Sequence, residues 1–248
     1  MTEDALFIST LAVFCMALAA FAVVAWFGTA ILFRRQATRE LAKRARACRA
    51  IVLTYDDGPS EGLTLRLAEL LKRRRVRATF FVIGQNAMRY PETIRRLLND
   101  GHEIGNHTFD HLNAWKTGPF RAARDIRKGQ QQLDALGIEN NMFRPPFGKS
   151  TLLTLGYNLM RRTRMAFWTY DSRDSWNRLP SGQILEDLKI AGGGVILMHD
   201  FDRPHRGPSP EDHQEYILDL TEKIITYAEE NSFNIIPFNE LFAPGSIY

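Results

Sequence analysis

Asp56 and Asp57 stand side by side in the run Thr54-Tyr55-Asp56-Asp57-Gly58-Pro59. Adjacent carboxylates repel, and a nearby cation is the simplest way to stabilise them; an Asp-Gly turn with solvated acids is the plainer alternative. Further along, His107 and His111 are four residues apart. That spacing is one helical turn, so both imidazoles can face a single ion, although two surface histidines would read the same. With one Asp they make a three-ligand set, and a fourth position left to water distinguishes a catalytic zinc from a structural one. Arg144, Asp171, Asp174 and His199 add a cation, two carboxylates and an imidazole that could hold or move protons. Each has a simpler role open to it. Arg144 could be a surface residue before Pro145-Pro146, Asp171 or Asp174 a helix cap, and His199 a core histidine after Val195-Ile196-Leu197-Met198.

These residues need elements to gather them. After residue 49 short β-rich runs alternate with helical patterns, the signature of βα units and a mainly parallel sheet. Strands are expected at 50–55, 78–83, 102–105, 142–143, 165–169, 194–198 and 233–237, and helices near 62–74, 91–100, 118–136, 151–163, 181–190 and 212–230. An α/β barrel of about seven strands, closed or slightly incomplete, fits these units better than an open sheet. The candidate residues follow directly on strands, whose carboxyl ends meet at one mouth of such a barrel.

Composition is that of an ordinary globular chain, 45% hydrophobic and 24% charged. Cys15 and Cys48 are too few for a disulfide framework. Residues 1–49 carry seven Lys/Arg against Glu3, Asp4 and Glu40, which accounts for the whole net charge of +4. The remainder is neutral and offers no electrostatic footprint for nucleic acid. From Ala5 to Phe33 no residue carries a formal charge, and about 20 apolar residues span a bilayer as a helix. The chain therefore divides into a transmembrane helix (1–33), a basic juxtamembrane segment (34–49) lying on headgroups or solvated, a catalytic barrel (50–240) and a tail (241–248). All the flanking positive charge follows the helix, which predicts a cytoplasmic barrel.

The motifs, taken in order, resemble those of the polysaccharide deacetylase family (carbohydrate esterase family 4 type), which includes the nodulation chitooligosaccharide deacetylase. They are Thr54-Tyr55-Asp56-Asp57-Gly58-Pro59, Ala78-Thr79-Phe80-Phe81, Gly101 to Thr108 with His111, Arg144-Pro145-Pro146-Phe147-Gly148, Asp171-Ser172-Arg173-Asp174 and Leu197-Met198-His199-Asp200. The resemblance covers roughly residues 50–240. It implies a distorted (β/α) barrel that hydrolyses acyl groups from amino sugars with one divalent ion, zinc first, cobalt or nickel also suiting the donors. It further implies Asp57, His107 and His111 as metal ligands, Asp56 as general base with Arg144 as its partner, and His199 as general acid. Asp171 is the acid expected to orient His199, with Asp174 second. Leu197, Pro146, Phe147, Trp176 and Asp174 are expected to contact substrate. Two departures stand out: Pro145 has no N–H to offer an oxyanion, and Ser175 separates Asp174 from Trp176, which unsettles a sugar-stacking role for that ring.

A barrel on the cytoplasmic face of a bacterial inner membrane would meet lipid-linked sugars rather than assembled wall. The expected substrate is therefore an acylamino sugar on a polyprenyl phosphate, with membrane lipids as neighbours and Arg203, His205 and Arg206 near the carrier phosphate, unless that loop is merely solvated. The alternatives are an extracytoplasmic peptidoglycan or exopolysaccharide deacetylase, and a catalytically inactive sugar-binding scaffold.

Overall fold

A computed structural model describes residues 3–139, 141–201 and 209–243. In chain order the elements are α1 (Glu3–Ala47), β1 (Ala50–Asp56), α2 (Leu63–Arg74), β2 (Thr79–Val82), α3 (Gly84–Arg89), α4 (Pro91–Asn99), β3 (Glu103–Asn106) and α5 (Pro119–Ala135). They continue with β4 (Met142–Phe143), α6 (Leu152–Met160), β5 (Arg164–Met165), β6 (Tyr170–Asp171), α7 (Ser181–Ala191), β7 (Gly194–His199), α8 (Pro210–Glu230) and β8 (Asn234–Ile235). Proline in the first turn of α4, α5 and α8 starts those helices where its missing N–H costs nothing.

Every pairing among the described strands is parallel, in the order β5-β4-β3-β2-β1-β7-β6, with β8 added to the start of β1. The curled sheet is an incomplete barrel, open between β5 and β6. The run expected as one strand at 165–169 is instead two short strands: Ala166 N donates to the Phe143 carbonyl and Thr169 N to the Val195 carbonyl, so the chain crosses from one edge to the other between them.

Alternation along β1 separates two cores. Ile51, Leu53 and Tyr55 join the outer one, with Leu67 and Leu71 of α2 and Ile217, Leu220 and Ile224 of α8. Ala50 and Val52 join the inner one, with Phe81, Phe143, Phe167 and Val195. That inner core also receives Phe33, Ala37, Leu41 and Ala45 of α1, which recur every four residues and so lie on one face of the helix.

The basic segment expected as a separate juxtamembrane piece is thus the continuation of a single helix, packed against the barrel where the sheet is open. Phe33 meets Phe167 edge to face with ring centroids 6.3 Å apart. In the second half of α1, Arg34 Nη1 donates to the Gly148 carbonyl at 3.1 Å, beside the carboxyl ends of the strands. Near its end, Arg44 Nη1 donates to the Leu241 carbonyl at 3.4 Å, and the Ala45 carbonyl lies under Gly193, just before β7 begins. Hence α1 runs antiparallel to the strands, and its first half projects beyond the mouth. That projecting half is exposed, with mean hydropathy 2.5, and is long and apolar enough to cross a membrane.

Candidate active site

β1 delivers two carboxylates to the mouth and then turns sharply. Asp57 has φ 75°, Asn86 Nδ2 holds its carbonyl at 2.7 Å, and Gly58 N donates to Asp200 Oδ1 at 3.0 Å. A Cβ on Gly58 would fall 2.1 Å from Asp200 Oδ2, so glycine is required for this approach. His107, just after β3, has Nδ1 at 2.8 Å from the Arg144 carbonyl. Nδ1–H therefore donates there, leaving Nε2 at 3.4 Å from Asp57 Oδ1. His111 Nε2 is 3.1 Å from the same oxygen. The three ligand atoms lie within 4.8 Å of one another.

The histidines reach this position on a loop, not on the helical turn their spacing suggests. Thr108 and His111 both have positive φ, 66° and 55°. Asn106 Oδ1 accepts from Thr108 N at 2.9 Å, Thr108 Oγ1 from His111 N at 3.0 Å. Buried Asp125 of α5 accepts from the N–H groups of Phe109, Asp110 and Leu112. The donor set fits a divalent cation. Asp57 Oδ1 is buried and accepts no hydrogen bond among the described residues, an arrangement costly without a positive partner. Burial alone would raise the Asp57 carboxyl, but His107, His111 and His199 together hold it well below the usual carboxylate range. Burial pushes the His111 imidazole down to about 4, so its lone pair is available. His107 moves the other way: Asp56 and Asp57 outweigh burial and raise it, so an ion competes with a proton there.

On one side of this triad Asp56 Oδ1 accepts from Arg144 Nη1 at 2.8 Å. Arg144 is fully buried, donates also to Thr54 Oγ1 at 2.8 Å and the Phe167 carbonyl at 3.2 Å, and lies 4.0 Å from the Phe81 ring. A guanidinium held at so many points fixes the Asp56 carboxylate.

On the other side stands His199 at the end of β7. The acid that orients it is Asp174, not Asp171: His199 Nδ1 lies 3.0 Å from Asp174 Oδ1, and His199 N donates to Asp174 Oδ2 at 3.1 Å. Ser172 Oγ donates to Asp174 Oδ1 at 2.6 Å. Asp171 instead accepts from Arg173 N at 2.8 Å and faces the cleft, half-buried. The turn explains the exchange, since Arg173 at φ 55° reverses the chain and swings Asp174 back under β7. Burial opposes a charged His199, but Asp174, then Asp57 and Asp56, lift it to about 10.

Both sides open into a cleft of about 700 Å³ lined by Asp56, Asp57, His107, His111 and His199, with Tyr90, Phe147, Trp168 and Trp176 among its walls. Leu197, Phe147 and Trp176 line it as expected. Pro146 is buried beneath the mouth and does not, and Asp174 is spent on His199. Trp176 is 63% exposed, with the Arg173 guanidinium 5.3 Å from its ring. Arg203, His205 and Arg206 lie outside the described residues.

Residues 43–165 match the family model for polysaccharide deacetylase. The chitooligosaccharide deacetylase of Bradyrhizobium sp. is 31% identical over 78% of this chain and 90% of its own. The chain belongs to the polysaccharide deacetylase family. A peptidoglycan-N-acetylglucosamine deacetylase of Bacillus cereus is 29% identical over 77% of this chain and 68% of its own. Among solved structures, the Bc1960 peptidoglycan N-acetylglucosamine deacetylase, in complex with 4-naphthalen-1-yl-N-oxidanyl-benzamide, superposes with a TM-score of 0.69 at 28% identity, over 78% of this chain and 87% of that one. Its parallel half-barrel is the fold described above, and the enzyme class is that of the carbohydrate deacetylases, hydrolases that use a divalent metal.

Within this polysaccharide deacetylase fold several positioning residues escape sequence reasoning. Asp200 is buried, accepts from Thr64 Oγ1 at 2.6 Å as well as from Gly58 N, and so clamps the Asp57 turn; in sequence it closes the last motif without showing this role. Asp125 and Thr54 read as a helix-surface acid and a strand residue. His213 of α8 stacks on Phe201 with centroids 4.5 Å apart and sits 3.2 Å from the His199 carbonyl, reaching back from the next helix in the chain.

Proposed function

We propose that this deacetylase hydrolyses the N-acetyl group of an amino sugar carried on a lipid, at a membrane surface to which α1 anchors it. The observation that carries the chemistry is the order of groups across the cleft: the Asp56–Arg144 pair, the Asp57–His107–His111 ligand set, and the His199–Asp174 pair. A divalent ion, zinc by preference of two imidazoles and a carboxylate, supplies Lewis-acid activation of water and of the amide carbonyl. Asp56, immobilised by Arg144, accepts the proton of the attacking water as the new C–O bond forms. His199, kept protonated by Asp174, gives its proton to the nitrogen as the C–N bond breaks, so acetate and a free amine leave. Leu197 faces the acyl methyl, and Trp168, Phe147 and Tyr90 offer apolar faces to the sugar ring.

The lipid-borne character of the substrate is supported by the course of α1. Its apolar half projects on the mouth side, so a membrane crossed by that half faces the catalytic cleft. The positive charge after the apolar half favours the cytoplasmic side. The likeness to peptidoglycan-N-acetylglucosamine deacetylases favours a second reading, a deacetylase of peptidoglycan. The deciding experiment incubates the purified full chain with polyprenyl-phosphate-linked N-acetylglucosamine, chitooligosaccharides and peptidoglycan, and follows acetate release, with Asp56→Asn as control. Release from the lipid-linked sugar alone supports the first reading, and release from peptidoglycan alone refutes it. A C-terminal reporter active only outside the cytoplasm would reverse the orientation.

A further inference from the structure

A second cavity, of about 680 Å³, lies between α1 and the mouth of the barrel, and shares Trp168 and Asp171 with the catalytic cleft. Its α1 wall is three successive helical turns: Ala30 and Ile31, then Arg34 and Arg35, then Thr38 and Arg39. Residues four apart stack along one face, so this wall is apolar toward the projecting half of the helix and cationic toward the barrel. Trp115, packed on Phe27 with centroids 5.6 Å apart, extends the apolar end.

Arg34 is fixed in place. Its Nη1 donates to the Gly148 carbonyl at 3.1 Å, and its guanidinium lies 4.7 Å from the Trp168 ring. A Cβ on Gly148 would approach that guanidinium to 2.6 Å, and Gly148 also has φ +63°. Arg35 and Arg39 are exposed, and no acid pairs with them among the described residues. Asp171 is the one carboxylate in the wall among the described residues, so three guanidiniums there face a single negative charge. That excess suits a small, strongly charged anion, and guanidinium forks match phosphate oxygens two at a time. A free anion has no use for the apolar turn, whereas an anion at the head of a hydrocarbon chain uses both ends of the wall.

We propose that this cavity binds the phosphate of the lipid that carries the sugar, with the first carbons of the chain against Ala30, Ile31 and Trp115. The sugar then passes Trp168 into the catalytic cleft. The proposal rests on the lipid-borne reading of the substrate, and it makes α1 part of the binding site as well as the anchor.

The test measures binding, not turnover. The full-length protein in phosphatidylcholine nanodiscs is titrated with polyprenyl phosphate lacking any sugar, alone and in competition with inorganic phosphate or with phosphatidylglycerol. Binding is expected that neither competitor displaces and that weakens roughly tenfold or more in Arg35→Gln/Arg39→Gln. Those side chains are exposed, and unchanged thermal unfolding verifies the fold; Arg35→Lys/Arg39→Lys should restore part of the affinity. Equal affinity in wild type and the Gln variant overturns the site. Displacement by inorganic phosphate or by phosphatidylglycerol overturns the carrier as its occupant. Binding at this site without deacetylation of the lipid-linked sugar would refute the proposed function and leave the site standing. Deacetylation with unchanged binding in the variant would refute the site alone.

Discussion

Asp174 sets the protonation of His199, and that pairing has a measurable signature. With Asp174 in place His199 sits near 10, above its ordinary value, because a buried carboxylate outweighs the cost of burial. Asp174→Asn should lower kcat/KM by about 10²–10⁴-fold and move the alkaline limb of the pH profile down toward neutrality, while Asp171→Asn leaves that limb in place. The same shift has a stability consequence in the metal-free protein. A raised folded pKa contributes stability fully below the unfolded value of about 6.5 and loses it as pH climbs through about 10. The urea midpoint should therefore fall from pH 6 to pH 10 in wild type, and fall by less in Asp174→Asn, with the raised His107 supplying part of what remains. At the candidate metal triad, chelation should abolish acetate release and lower the melting temperature. Saturating zinc should restore both, by about 2.7 kcal/mol of stability at a hundred times Kd. That Asp57, His107 and His111 would gather was legible in the sequence, because they follow strands whose carboxyl ends meet at one mouth. Which of two acids three residues apart meets His199 was not legible, because the positive φ at Arg173 decides it.

At the scale of elements, β1, β2 and β7 were readable because burial on both faces leaves near-continuous apolar runs, whereas the short, less buried β5 and β6 ran together into one expected strand. The short α3, with only Gly84 and Ala87 buried, carries too little pattern to find. The docking of α1 was hidden for a different reason: its contact face, Phe33, Ala37, Leu41 and Ala45, begins inside the uncharged run and continues into the basic one, so neither stretch looks amphipathic alone. Leu41 is 3% exposed, and Leu41→Ala should cost about 2–5 kcal/mol in urea unfolding, as a barrel residue would and a linker residue would not. Gly58→Ala drives a methyl into the Asp200 carboxylate. It should cut metal affinity, read by zinc titration, with far less effect on the outer core.

At the scale of the whole molecule, one helix provides the proposed membrane span, the missing barrel wall and one side of the arginine-lined cavity. Among the described residues no loop separates the exposed apolar turns from the packed ones. Enzymes tethered through a pliable stalk can be clipped free and diffuse away as working catalysts. Here a cut anywhere between Phe33 and Ala47 would pull out part of the inner core, so shedding and inactivation become a single event.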